Sequence, residues 1–284
     1  MELRRRFVFR GNAAAIGGRI VRPADTILDS VVASSLTVAG GRSRARAGPA
    51  RFGEFVSFSA ATTSAEGLFD DVQRQIEFTF GKIPEDALTT STRVSADVTG
   101  LSIGGSKPKL TVGHLHVALN SKSPGGSGEP PIAPGSDTVI EGAAIDGHPL
   151  AIELAVPVFQ QYDTRSKLMT AADDPKFVAE FGDCLYMRQA PPGVAAPPSG
   201  RLQYGCGTIY ATIVKSLKWA GDPIPGVTFD QNTCFVPEFG KIFFGELLIS
   251  SFSRRLTMVR VELGSPIGGV VACAEGETNG SWST

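Results

Sequence analysis

The chain has 284 residues, 42% of them hydrophobic and 19% charged, with a formal net charge of −1. That length carries a sizeable core, in one large domain or two of ordinary size. No run approaches the ~18 apolar residues of a membrane-spanning helix, so an integral helical membrane protein is excluded.

The 33 glycines and 19 prolines are not periodic and punctuate short apolar runs, which favours an all-β architecture. The first residues, MELRRRFVFRGNAAAIGG, are basic but lack an apolar stretch before Arg10 and Gly11. No signal peptide is expected, and the cytoplasm is the default compartment. Cys184, Cys206, Cys234 and Cys273 form no C-x-x-C pair, and reduced, mostly buried thiols are expected. Ten arginines against Glu2, Asp25 and Asp29 give residues 1–51 a charge of +7 and leave −8 for the rest. Such polarity suits an anionic partner or head-to-tail self-association into a homo-oligomer.

In chain order, Arg4, Arg6, Val8 and Arg10 alternate with Arg5, Phe7 and Phe9, predicting a strand with one mostly arginine face. A Gly11-Asn12 turn leads to a second strand, Ala13 to Val21, and Ser30 to Val38 is a third. Beyond Gly40-Gly41, three further arginines share one side of an extended run. Arg4, Arg6, Arg10, Arg42, Arg44 and Arg46 are therefore the candidate anion-binding residues. Charge on strands also discourages edge-to-edge pairing. Nucleic acid is not the expected partner, because Phe7 and Phe9, which could stack bases, point the other way.

Phe52 to Phe58 is another apolar run. Val72 to Phe80 alternates as a strand wet on one side, with Ser64 to Asp71 able to form a helical turn before it. Val94 to Val98 and Leu110 to Leu119 are the next strands. Residues 121–136, SKSPGGSGEPPIAPGS, read as a mobile loop. Asp146-Gly147 between Thr138–Ile145 and His148–Val156 is the clearest two-residue hairpin signal. From Pro157 to Arg188 the pattern turns helical, with Asp173 a candidate cap before Asp174-Pro175. APPGVAAPPSG, 190–200, is a linker, and Leu202 to Trp219 gives one or two strands.

The densest apolar surface lies in Lys241–Ile249 and Arg254–Leu263, flanking Ser250-Ser251-Phe252-Ser253. Placing Ile249 opposite Arg254 sets Lys241 against Glu262, Phe243 against Arg260 and Glu246 against Thr257. Opposite-charge pairs contribute only about 0.2–1 kcal/mol each, so they select the register while apolar burial stabilises it. Strict alternation puts apolar residues on both faces, the pattern of a hairpin covered on both sides. Lys241, Glu246, Arg254, Arg255, Arg260 and Glu262 would then form a buried structural charge network.

Three histidines exist. His114 and His116, two apart on a strand, project from one face with Cα atoms about 6.6–7 Å apart, near enough to share a metal. His148, Asp146 and Glu141 are the nearest further ligands in sequence. The H-x-H spacing resembles that of the cupin metal strand, where a glutamate follows three or four residues later. Here Asn120 and Ser121 occupy those places, so that ligand does not carry over. Gly100-Leu101-Ser102-Ile103-Gly104 matches G-x-S-x-G, but no helix can follow Gly105-Ser106-Lys107-Pro108, so a nucleophile elbow is not expected.

The sequence thus predicts an all-β fold: an antiparallel β-sandwich, or two linked β-sandwich or barrel subdomains with a small helical insertion. The divisions fall at 1–88 (Arg-rich β), 89–156 (central β, with hairpin 138–156), 157–189 (helical), 190–200 (linker) and 201–284 (closing strands). The leading functional expectation is a non-enzymatic β-rich scaffold that binds a protein partner or assembles with copies of itself. The alternatives are a divalent-metal enzyme using His114 and His116, and polyanion binding by the arginine strands.

Overall fold

A computed structural model describes residues 6–23, 25–105, 108–125, 128–186, 208–264 and 267–282. The fold is all-β, 62% strand and 13% helix, in two antiparallel sheets. Arg4, Cys206, the 190–200 linker and residues 202–207 lie outside the described residues.

Two strands start the first sheet, β1 (Phe7–Arg22) and β2 (Thr26–Ser35). The chain then crosses to the second sheet through β3 (Gly41–Ala47), β4 (Ala50–Phe52), β5 (Val56–Phe58) and β6 (Ala60–Phe69). After helix α1 (Val72–Thr79) come the two longest strands of that sheet, β7 (Thr89–Gly104) and β8 (Lys109–Pro124). Short β9 (Ile132–Pro134), β10 (Val139–Glu141) and β11 (Ala144–Ile145) line the far side of β8, and β12 (His148–Leu154) pairs with β11. Helices α2 (Val156–Gln161), α3 (Arg165–Ala171) and α4 (Pro175–Phe181) follow. Next, β13 (Leu185–Tyr186) and β14 (Ile209–Thr212) return to the first sheet, while β15 (Val214–Trp219) pairs with β12 in the second. The last five strands, β16 (Thr228–Asp230), β17 (Thr233–Val236), β18 (Gly240–Ile249), β19 (Ser253–Leu263) and β20 (Gly268–Trp282), complete the first sheet, β20 lying against β1.

β1, β19 and β20 lie over β7 and β8, and their inward side chains merge into one core that includes Ile16, Val259, Val261, Val94, Val98 and Val117. The division proposed at residue 88 falls between strands paired over ten positions, from Ala60 opposite Thr99 to Phe69 opposite Thr90. A single residue, Ile213, separates β14 in one sheet from β15 in the other. Its N–H donates to the Gly245 carbonyl, and its own carbonyl accepts from Ala155.

The closing hairpin has the register expected from its charges: Lys241 opposite Glu262, Phe243 opposite Arg260, Glu246 opposite Thr257 and Ile249 opposite Arg254. Its two-sided apolar cover is corrected. Ile242, Phe244, Leu247 and Ile249 are all fully buried, although strict alternation would send the first two and the last two to opposite faces. Gly245, at φ +60°, breaks the pairing opposite Met258 and returns Leu247 to the inner face. One face is core and the other carries the charges, apart from the buried Arg254.

This break runs across the sheet. Pairing skips, strand by strand, at Gly245, Met258, Ala274, Ala15 and Val32, with positive φ at Gly245, Ala274 (51°) and Val32 (53°). The second sheet carries its own line, through Gly100 (φ +62°), Gly113 and Gly142 (φ +64°). Each line inverts which alternate residues face the core.

Other expectations need correction. Gly11-Asn12 is no turn, since β1 runs unbroken through it, and Ser64–Phe69 is strand. Val72–Thr79 is a helix because the Asp71 carboxylate accepts from the N–H groups of Gln73 and Arg74 and caps it. Val72, Ile76 and Phe80 satisfy a four-residue spacing as well as a two-residue one, so the alternation was ambiguous; all three are exposed. Residues 121–124 and 132–134 of the expected loop are strand. Asp174, one residue past the expected cap, closes α4's first turn by accepting from Lys176. No helix among the described residues is long and apolar enough to cross a membrane. After the G-x-S-x-G stretch the chain enters β8, not a helix.

Candidate metal centre

Along β8, Leu110 and Val112 face the core, as do Leu115, Val117 and Leu119. The change from even to odd positions occurs at Gly113, where the second sheet's line crosses the strand. Without it, the even-numbered His114 and His116 would follow Leu110 and Val112 inward. With it, both imidazoles stand on the outer face, 33% and 19% exposed.

The neighbouring strand supplies the third group. Asp97 of β7 sits opposite His116, and Thr99 opposite His114. Asp97 Oδ2 lies 2.7 Å from His114 Nε2 and 3.1 Å from His116 Nδ1. An ionised carboxylate only accepts, so the ring N–H groups donate to it. One ligand atom from each of Asp97, His114 and His116 lies within 4.8 Å of the others.

The outward nitrogens face two further carboxylates. Glu141, opposite His114 on β10, places Oε2 3.5 Å from His114 Nδ1. Asp137 places Oδ2 3.4 Å from His116 Nε2 and is itself held by Arg93 Nη2 at 3.0 Å. The His114 pKa is raised from its ordinary value, chiefly by its hydrogen bond to Asp97; burial works against the shift, and the charge of Asp97 and the contact with Glu141 add to it.

This donor set suits a borderline-soft divalent ion such as Zn²⁺, which takes two imidazoles and a carboxylate at about 2.0–2.2 Å. Ligand atoms around such an ion lie about 3.3–3.6 Å apart in tetrahedral geometry, so small side-chain rotations would open the present spacing. The carboxylates on the outer nitrogens match the second layer that fixes tautomer and ring orientation around bound metals.

Of the five ligand candidates from sequence, three converge here: His114, His116 and, behind them, Glu141. Asp146 and His148 lie at the β11–β12 turn, where Ile145 pairs with Leu110, six positions along β8 from His116. There Asp146 accepts from the Lys109 N–H at 2.9 Å, and the His148 Nδ1–H donates to the Asp222 carbonyl at 2.9 Å. Nearness along the chain does not find Asp97, which lies 17 residues before His114 and reaches it only through strand pairing, nor Asp137. Counting back from the Gly104–Lys109 turn would have set Asp97 against His116. The third candidate ligand thus comes from the adjacent strand, not from three or four residues downstream.

The arginine candidates divide between sheets. Arg6 and Arg10 are exposed at the start of the first sheet, while Arg42, Arg44 and Arg46 are exposed on β3 of the second. Arg42 pairs with Glu66 at 3.1 Å. The hairpin charges also divide. Arg260 binds Glu246 through two contacts of 2.6 and 2.8 Å, donates to Glu262 and stacks on Phe243 with 3.8 Å to the ring centre. Lys241 is exposed, and Arg255 reaches Glu277 at 2.9 Å. Arg254 instead points inward, 1% exposed, donating to the carbonyls of Phe159 and Tyr162. Burial lowers its pKa to about 10 against the raising influence of Asp163 and Glu129.

Residues 7–191 match the model of a family described as a domain of unknown function (DUF8256), and the chain belongs to that family. No curated protein and no solved structure matches it.

Proposed function

We propose that this chain is a β-rich binding scaffold that holds a divalent transition metal, with Asp97, His114 and His116 as its protein ligands. The observation that carries the reading is the paired second layer: each imidazole offers one nitrogen to the shared Asp97 and has a separate carboxylate, Glu141 or Asp137, at the other. A structural ion pair between one carboxylate and one histidine would need no such duplication. Three protein donors would leave the fourth position of a tetrahedral ion to an exogenous ligand, the arrangement of a site that receives one.

Calorimetric titration of chelator-stripped full-length protein with ZnCl₂ tests this, with Co²⁺ absorption as a geometric readout. One equivalent should bind and raise the melting temperature. His114→Gln, His116→Gln and Asp97→Asn should each weaken binding at least tenfold, and His148→Gln should not. The reading fails if no ion binds below millimolar concentration, or if His148→Gln is as damaging as His116→Gln.

A further inference from the structure

The outer face that holds the metal ligands continues, strand by strand, to the edge at β3. One cross-strand row runs Arg46, Thr62, Asp97, His116, and the next runs Arg44, Ser64, Ser95, Ala118. At about 4.8 Å per strand, the Arg46 backbone lies roughly 10 Å from that of Asp97.

Between them is an open groove of about 510 Å³ lined by Arg44, Arg46, Thr62, Ser64 and Ser95. The charged residues of the third row are occupied: Arg42 is paired with Glu66, and Arg93 with Asp137. Arg44 and Arg46 have no ion-pair partner among the described residues, and both are exposed. The Ser64 and Ser95 hydroxyls lie 2.8 Å apart on the groove floor, so only one of them donates to the other. Guanidinium forks beside hydroxyl donors, with no carboxylate lining the groove, match an oxyanion carrying two negative charges.

We propose that this groove binds a phosphate dianion, free or as a monoester, held by Arg44 and Arg46 with the Thr62 and Ser95 hydroxyls. Its position also predicts coupling. A divalent cation at Asp97, His114 and His116 lies about one Debye length away at physiological salt, so its charge is reduced by screening but still felt. Metal loading should tighten phosphate binding about threefold, and by reciprocity phosphate should tighten the metal equally. The coupling rests on the metal reading above, whereas the groove does not.

The test is titration of the full chain with phenyl phosphate and, separately, inorganic phosphate, with and without one equivalent of Zn²⁺. Tighter binding of one probe identifies the source, ester or free anion, and either supports the site. Arg44→Gln combined with Arg46→Gln should weaken phosphate binding at least tenfold, while tightening Zn²⁺ by no more than about threefold through the loss of two nearby positive charges and leaving the circular dichroism spectrum unchanged. Arg42→Gln should change it less than threefold. Zinc binding without detectable phosphate binding, or phosphate binding indifferent to Arg44 and Arg46, overturns the groove and leaves the metal reading standing. Arginine-dependent phosphate binding in a protein that takes no Zn²⁺ supports the groove and overturns the coupling and the metal reading.

Discussion

Gly100 on β7 lies directly opposite Gly113 on β8, next to the pair formed by Thr99 and His114. At this point both strands exchange their inward and outward faces, and the exchange turns two histidines toward solvent. Any side chain at Gly100 meets the Ser59 hydroxyl, since a Cβ there would lie 2.3 Å from Oγ, and φ is +62°. At Gly113 the corresponding contact is milder, 3.3 Å from the Glu141 carbonyl oxygen, and no positive φ is required. Gly100→Ala should therefore cost about 1–3 kcal/mol, seen as a melting temperature lower by several degrees. Gly113→Ala should cost clearly less. Equal losses in the two variants by scanning calorimetry would count against the strained crossing.

Arg254 fastens the helical insertion to the closing hairpin. It extends from β19 to accepting carbonyls at Phe159 in α2 and Tyr162 at that helix's C-terminal end. Arg254→Ala removes both donors and leaves a cavity, an expected loss of about 2–4 kcal/mol. Arg254→Met keeps most of the volume and should recover part of it. Hydrogen exchange provides the local check: amides between 156 and 171 should lose protection more than those of β7 and β8. Uniform loss across the chain would mean that the arginine is filler and not a fastening.

The buried thiols give a pH dependence of defined sign. Burial pushes Cys184 up to about 11 and Cys234 up to about 12, and Cys273 is raised further in the same direction. Each folded pKa exceeds the unfolded value near 8.5. The stability these groups contribute is complete below pH ~8.5 and is lost as pH rises toward 11–12. Denaturant midpoints should fall over that interval, and less steeply in a Cys184→Ser, Cys234→Ala double variant. Iodoacetamide at pH 8 should leave Cys184, Cys234 and Cys273 of the native protein unmodified by peptide mass spectrometry; rapid labelling of Cys184 would contradict its burial.

What the sequence made legible, and what it hid, follows from where the information sits. Charges on residues that pair directly fixed the β18–β19 register without ambiguity, because a one-residue slip separates Lys241 from Glu262. The face of His114 and His116 was also readable, since Leu115, Val117 and Leu119 mark the other side. Asp97 was not, because its proximity arises from strand pairing and not from chain distance. The two-sided reading of the hairpin fails on one glycine: strict alternation takes no account of a φ of +60° at Gly245, and so puts Leu247 and Ile249 on the face opposite Ile242 and Phe244 although all four are buried. At Val72–Phe80 the same residues satisfied two periods, and the deciding signal was Asp71, one position upstream of the pattern.

Ile213 has a consequence for how the molecule comes apart. One amino acid ties β14 to β15, and its two main-chain bonds reach Gly245 and Ala155. A joint that short leaves no slack for either layer to peel away while the other persists. Separation would need the tie itself to give, and with it the β14–β18 ladder that ends at Thr212 opposite Glu246. The two layers are therefore expected to unfold together under heat or denaturant.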